Sequence, residues 1–272
     1  MSLYSFIELM FPDMLGRYKL EKFRSSRGTE IEKAILREET ADPIEDFDED
    51  EIEIQIDDLI PVDFLDRDHK ARRYLQDDRK LPDSIMERFL FVDDFSEWYR
   101  QIDPESRYKP HSRILIPYIN DSGEIYRYVC RVFDSEVVPR YLYIEIFDDT
   151  PIYNFYGVDP NKRVYIFEGQ IDSMLIENSI AIGNAKFDRK ILTQFKDYVI
   201  VPDQQPRNPE VADSVKKAID AGHPISIWNQ DLGKDINQML INGNSIERIK
   251  KIIDDNVVSG AKARMKFINW RK

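Results

Sequence analysis

Short β-rich runs that each end close to a carboxylate alternate with helical patterns in the second half of this chain, and this alternation restricts the fold strongly. The runs at 164–167, 198–202 and 224–228 lead into Glu168, Asp203, and the pair Asp231 and Asp235. Helical patterns cover residues 171–177, 187–196 and 209–221. Strands that alternate with helices of about ten residues indicate right-handed βαβ units and a parallel sheet. The sequence therefore predicts an α/β fold.

The carboxyl ends of parallel strands open onto one crevice, where α/β proteins bind ligands. Glu168, Asp203, Asp231 and Asp235 are therefore expected to converge. A single acidic residue at a strand-to-helix turn is equally compatible with an ordinary connection and with a functional site. Clustered carboxylates repel one another, however, and they normally serve to hold hard cations such as Mg²⁺.

Three motifs carry a family resemblance: Glu-Gly-Gln-Ile-Asp at 168–172, Asp-Gln-Gln-Pro-Arg-Asn at 203–208, and Gly-Lys-Asp-Ile-Asn at 233–237. Together they resemble a Toprim domain, the metal-binding module of primases and topoisomerases, and are most like those of DNA primases of large tailed phages. Gln205 stands where the family pattern has an acidic residue. An amide oxygen can bind a cation but adds no charge, so the metal stoichiometry is open.

The region before the Toprim motifs resembles the small basic subdomain of bacterial-type primases, with a strand at 125–133 and further matching stretches at 113–119, 139–142 and 152–157. Arg127 and Arg131 are four positions apart on the predicted strand and therefore face the same way. They suit phosphate contacts, although a solvated sheet face with cross-strand pairs would give the same pattern. The resemblance implies that phosphate or nucleic acid is bound by Arg127, Arg131, Arg140, Lys234, Arg207 and Asn237.

The activity that the resemblance implies is DNA-directed synthesis of RNA primers by two-metal nucleotidyl transfer. Glu168, Asp203 and Asp235 would be the catalytic residues. The ligands of Mg²⁺ or Mn²⁺ would be Glu168, Asp203, Gln205, Asp231 and Asp235. Two alternatives stay open: a Toprim-type metal-dependent nuclease, and a non-catalytic DNA-binding partner of a replicative helicase.

The partners implied by the resemblance are a single-stranded DNA template, ribonucleoside triphosphates and a replicative helicase. Three histidines and one cysteine cannot form a usual structural zinc site, so no zinc is expected in this chain. The zinc-binding module of such primases would then act in trans or precede this sequence. No run approaches the roughly 18 apolar residues of a membrane span. A phage-encoded protein in the host cytoplasm, without a membrane partner, is expected.

The net charge of −12 is concentrated in one segment, because twelve acidic residues and no basic residue lie between Glu38 and Asp58. Outside it, 39 acidic residues balance 39 basic ones. Such a segment is typically a solvated linker. The alternative is an acidic tether that covers a basic groove until DNA arrives.

The predicted organisation has five parts. They are a helical segment at 1–37, an acidic linker at 38–58, the primase N-terminal and basic subdomain at 59–157, the Toprim domain at 158–243, and a C-terminal helix with a basic tail at 244–272. In the tail, Phe267 and Trp270 would either stack on bases or dock a terminal helix into the core.

Overall fold

A computed structural model describes residues 59–134, 136–183 and 189–272. The predicted helical segment at 1–37 and the acidic linker at 38–58 lie outside the described residues. The described chain forms two compact units, one of residues 59–72, 84–117 and 128–146, the other of 73–83, 118–127 and 147–272. None of the helices in these ranges is long and apolar enough to cross a membrane. The predicted boundaries at 157 and 243 stay a prediction.

The first sheet has five strands in the order of the sequence. They are β1 (Ile60–Pro61), β2 (Leu90–Val92), β3 (Arg113–Ile119), β4 (Ile125–Arg131) and β5 (Tyr141–Glu145). β2 pairs antiparallel with both β1 and β3. β4 lies within the strand predicted at 125–133, and β3 covers the stretch at 113–119 that resembles the primase subdomain. β1 and β2 are too short for a period-2 pattern to reveal them.

The helices around this sheet are short. They comprise a 3₁₀ turn (Val62–Phe64), α1 (Lys70–Arg73) continuing as a π-helix (Tyr74–Asp78), a 3₁₀ helix (Asp83–Arg88) and α2 (Phe95–Arg100). Asp94 caps α2 by accepting hydrogen bonds from the backbone N–H groups of Ser96 and Glu97. The fully buried Arg113 donates to the carbonyls of Cys130 and Pro139 within the first unit.

The second sheet confirms the predicted α/β fold. Its strands are β6 (Arg163–Phe167), β7 (Ser179–Ala181), β8 (Asp197–Val201), β9 (Ile225–Ser226) and β10 (Val257–Val258), in the spatial order β10-β9-β8-β6-β7. β6 pairs parallel with β7 and β8, and β8 pairs parallel with β9. β10 closes one edge antiparallel to β9. Parallel pairing brings the carboxyl ends of β6, β8 and β9 to one side.

Among the described residues of this unit, helices and two 3₁₀ turns connect the strands. They are the turn Phe155–Gly157, α3 (Gln170–Met174), α4 (Arg189–Leu192), α5 (Pro209–Asp220), the turn Gln230–Leu232, α6 (Ile236–Ile241), α7 (Ile246–Asp255) and α8 (Gly260–Trp270). The predicted helix at 187–196 is observed only as α4, and its first two residues lie outside the described residues.

The prediction of a single helix within 244–272 is wrong, because two helices and a strand lie in this range. α7 ends at Asp255, and Val257 and Val258 pair with Ser226 and Ile225 instead of continuing the helical stripe. β-Branched side chains favour this pairing. Gly260, at a φ of +55°, then starts α8.

Two clusters of buried side chains surround the parallel sheet. One joins β8 and β9 to α5 and α8, with Phe267 and Trp270 packed against it. This confirms the docking alternative for the terminal helix, so these two rings pack against protein. The other cluster consists of Ile152, Val164, Ile166, Ile180, Leu192 and Phe195.

Candidate active site

Glu168 directly follows β6, at the turn into α3. Gly169 is the N-cap of α3, and a Cβ at this position would lie 3.0 Å from Oδ2 of Asp172. A glycine therefore lets the backbone pass close to that carboxylate. Glu168 keeps an exposed edge, while partial burial and the charge of Glu210 raise its pKa above the ordinary value.

Asp203 lies two residues beyond β8, at the carboxyl end of the strand next to β6. Burial, with the charges of Glu168 and Asp235, raises its pKa to about 7. The Gln205 side-chain N–H₂ donates a hydrogen bond of 2.9 Å to Oδ2 of Asp203, which favours the ionised form. Glu168, Asp172, Asp203 and Asp235, whose charges affect one another, form an acidic cluster. Gln205 is placed beside this cluster, with its amide nitrogen toward Asp203.

Asp235 is the N-cap of α6, where its carboxylate accepts a hydrogen bond of 2.6 Å from the backbone N–H of Gln238. The Lys234 ammonium lies 3.7 Å from the same carboxylate and is largely exposed. The turn before it depends on Gly233, which has a φ of +144°. A Cβ there would lie 2.8 Å from the backbone nitrogen of Met239.

Asp172 is the last residue of the first motif and is not among the predicted site residues. One helical turn after Glu168, it accepts a hydrogen bond of 2.7 Å from the backbone N–H of Asn237. Burial and the charges of Asp235 and Asp203 raise its pKa. The four-residue spacing from Glu168 across a helix start was the available signal for this residue.

Asp231 lies on the exposed 3₁₀ turn, where its carboxylate accepts a hydrogen bond from Asn229. Its metal role stays a prediction, since in the described part of the chain it contacts this neighbour and not the other acids. Within the ranges that the structure describes, no three His, Cys, Asp or Glu side chains form a ready-made metal site. The acids are close enough to affect one another's pKa without forming a closed cage.

The predicted phosphate-binding arginines differ in exposure. Arg127 is half-buried on β4, whereas Arg131 is buried and its guanidinium stacks 4.6 Å from the ring centre of Tyr141. Arg140 and Arg207 are exposed. Exposure suits both of these for phosphate contact, and all four assignments stay predictions.

Asn237 is buried, at 2% exposure, and both ends of its amide are engaged by Arg79. Its Nδ2 donates to the Arg79 carbonyl at 2.6 Å, and its Oδ1 accepts from the Arg79 guanidinium at 3.0 Å. The predicted phosphate contact stays untested, but the side chain has a different partner here. Sequence reasoning missed Arg79, which is 158 positions away and carries no local signal.

No family model matches this sequence. The fold is shared with solved primase structures. One is the Escherichia coli primase catalytic core, with a TM-score of 0.50 and 15% identity over 68% of this chain and 72% of that one. Another is the RNA polymerase domain of the Mycobacterium tuberculosis primase in complex with a double-stranded DNA oligomer with a 6-nucleotide overhang, with a TM-score of 0.54 and 13% identity over 77% of this chain and 78% of that one. A primase catalytic domain bound to single-stranded DNA is also similar, with a TM-score of 0.54 and 14% identity over 72% of this chain and 74% of that one.

This chain therefore has the fold of the Toprim-containing catalytic core of DNA primases, as the motifs predicted. Among curated proteins, it is similar to the DNA primase of Enterobacteria phage T4, with 29% identity over 221 residues that cover 78% of this chain. The chain spans 64% of the length of that relative.

Proposed function

We propose that this chain synthesises RNA primers on a single-stranded DNA template during replication. The observation that carries the proposal is the group of acids after β6 and β8 and at the start of α6, in a fold shared with primase catalytic cores. The similarity to a phage primase supports it. So do the DNA complexes of two structurally similar primase domains, since they link this fold to DNA binding.

The donor set fits Mg²⁺ or Mn²⁺. Three of the acids have a raised pKa because of burial and neighbouring negative charge, and a bound cation would remove that repulsion. Mg²⁺ commonly uses only one or two carboxylates together with water and phosphate, so the lack of a closed cage among the described residues is compatible with it. We assign the cation to Glu168, Asp203 and Asp235, with Gln205 and Asp231 as further ligands.

When bound, the cation would lower the pKa of a ribose 3′-hydroxyl and neutralise charge on the triphosphate. Glu168 is exposed on one edge, so its carboxylate is also accessible to accept a proton from that hydroxyl. Lys234 extends from the same loop as Asp235 and offers an exposed ammonium to phosphate. Arg127, Arg131, Arg140 and Arg207 would contact the template or the nucleotide.

The proposal includes three partners: a replicative helicase, ribonucleoside triphosphates, and a zinc-binding module supplied in trans or by a preceding segment. The setting would be the cytoplasm of an infected host. The similarity to a phage primase supports these assignments.

Glu168→Gln is the first test of the proposal. Labelled single-stranded DNA and ribonucleotides are incubated with Mg²⁺ or Mn²⁺, with and without a related zinc-binding module. Wild type should produce short RNA, and the variant should produce at least about 100-fold less because the carboxylate is lost. Glu177→Gln is the matched control, since Glu177 is exposed just beyond α3.

Three results would contradict the primase proposal. Full synthesis by Glu168→Gln would remove this residue from the site. Shortened DNA without RNA would indicate a metal-dependent nuclease. Binding of DNA with neither product, even with the zinc-binding module, would indicate a non-catalytic partner of the helicase.

A further inference from the structure

The segment that carries Arg79 has an unusual backbone. Tyr74–Asp78 forms a π-helix, and the Arg79 N–H closes it with a bond of 3.1 Å to the Tyr74 carbonyl. Lys80 then has a φ of +56°, in the left-handed region that a lysine rarely adopts. Both π-turns and such strained residues concentrate at functional sites.

Buried leucines fix this segment on either side of Arg79. Leu75 and Leu81 are buried, and the Leu81 N–H donates to the Leu75 carbonyl at 3.0 Å. The Arg79 Nε–H donates to the Tyr74 hydroxyl at 2.9 Å, and the guanidinium also lies over the Tyr74 ring at 5.4 Å from its centre. The side chain is therefore held in one orientation by its own turn.

Arg79 in turn determines the orientation of Asn237. The guanidinium donates to the amide oxygen, and the Arg79 carbonyl accepts from the amide nitrogen. Since one hydrogen bond ends on the amide oxygen and the other starts from the amide nitrogen, the two bonds fix which way the Asn237 amide is turned. Because Asn237 is buried, each bond is formed away from water, where an unpaired group is costly.

Asn237 then contacts the acidic cluster through its backbone. Its N–H donates to Oδ1 of Asp172 at 2.7 Å, while Asp235 two residues earlier caps the same helix. The positive charge of Arg79 also favours the ionised form of Asp172. A chain of contacts thus runs from Tyr74 through Arg79 and Asn237 to Asp172.

We infer that Arg79 is a positioning residue for the acidic cluster. It holds Asn237 at the start of α6, and Asn237 holds Asp172 in place beside the proposed cation ligands Asp203 and Asp235. This inference rests on the proposed metal-dependent site. It accounts for the π-turn and for the positive φ of Lys80, which together present both the carbonyl and the guanidinium of Arg79 to one amide.

The test measures Mn²⁺ affinity by electron paramagnetic resonance and, separately, thermal unfolding without metal. Arg79→Met should raise the Mn²⁺ dissociation constant about 5- to 10-fold in protein that is still folded, because the loss of contacts that order the surroundings of the ligands weakens cation binding. Arg79→Lys should recover part of the affinity. Arg73→Met is the control, since within the described ranges this neighbouring arginine pairs with the exposed Asp77 and not with Asn237.

A double-mutant cycle makes the test specific. If Arg79 acts through Asn237, the two substitutions should not add. The double variant, with Arg79→Met and Asn237→Ala, should then bind Mn²⁺ no more weakly than the single variant that has the lower affinity. Tyr74→Phe removes only the hydroxyl that accepts from Arg79, so it gives a folded variant even if Arg79→Met does not fold. It should raise the dissociation constant about twofold.

The inference would be overturned if Arg79→Met bound Mn²⁺ with an affinity within twofold of wild type. If Arg79→Met does not fold, an unchanged affinity of Tyr74→Phe would overturn it. In either case, Arg79 would have a structural role only. Failure of the proposed function looks different. Wild type that binds Mn²⁺ but makes no RNA would contradict the primase activity and leave the positioning role standing. Wild type that binds no Mn²⁺ would overturn both.

Discussion

At the scale of single residues, Asp203 and Gln205 show how an amide can support an acidic site. The Gln205 N–H₂ donates to Asp203, whereas an acidic residue at this position would add further repulsion. The bond opposes the effect of burial on the pKa of Asp203. Gln205 can therefore keep its neighbour available to a cation even though it brings no charge.

Asp203→Asn should stabilise the metal-free protein at high pH. The pKa of Asp203 is raised from 3.8 to about 7, so the folded state binds more protons than the unfolded chain between these values. Stability of wild type therefore falls as pH rises through this window. The variant should gain about 1–2 kcal/mol at pH 8 and little at pH 4, allowing for solvent screening.

Thermal unfolding at the two pH values checks this prediction. Asp231→Asn is the control, because it makes the same exchange at an exposed position. An equal gain for Asp203→Asn at pH 4 and pH 8 would show that charge at this position is not the cause.

At the scale of secondary-structure elements, the loop between β9 and α6 depends on its glycine. Gly233 ends a 3₁₀ turn, and its carbonyl accepts from the buried indole N–H of Trp228 at 3.0 Å. This turn leads directly to Lys234 and Asp235. The backbone conformation and the nearby Met239 nitrogen both exclude a side chain at Gly233.

Gly233→Ala should destabilise the protein by about 2–3 kcal/mol, from the strained φ and the steric contact together. Gly222→Ala is a matched control, since Gly222 also has a positive φ but has open space where a Cβ would lie. It should cost only about 1 kcal/mol. Urea unfolding gives both values, and equal losses would mean that the contact with Met239 relaxes freely.

The sequence predicted the parallel sheet because β6 and β8 are apolar runs with clear ends, and because α5 has a regular apolar face. It did not reveal β7 or β10, which are three and two residues long and show no usable periodicity. Glu168 and Asp203 could be found from their place after strands. The contact of Arg79 with Asn237 could not, because it depends on tertiary packing between distant segments.

At the scale of the whole molecule, the charge is unevenly distributed. The segment from Glu38 to Asp58 accounts for the entire net charge of −12. A polyanion such as DNA is repelled by this charge at long range, and salt screens the repulsion. The rest of the chain is neutral, with local basic groups such as those of α8.

Deleting 38–58 should therefore tighten binding of single-stranded DNA at low salt, several-fold at about 50 mM, with little change at about 300 mM. Fluorescence anisotropy with a labelled oligonucleotide measures both conditions. Replacing the segment by a neutral linker of equal length separates charge from chain length. Unchanged affinity at low salt would show that the acidic segment acts only as a connection.

If a cation binds at Asp203 as proposed, its uptake should be accompanied by release of acid. With a pKa of about 7, this carboxyl is partly protonated in the neutral range, and a divalent ion would have to displace that proton. A small rise in pH would then favour metal binding, and each metal that bound would release a fraction of a proton into the solution. Burial of this one carboxylate would in this way couple metal occupancy to the pH of the surroundings.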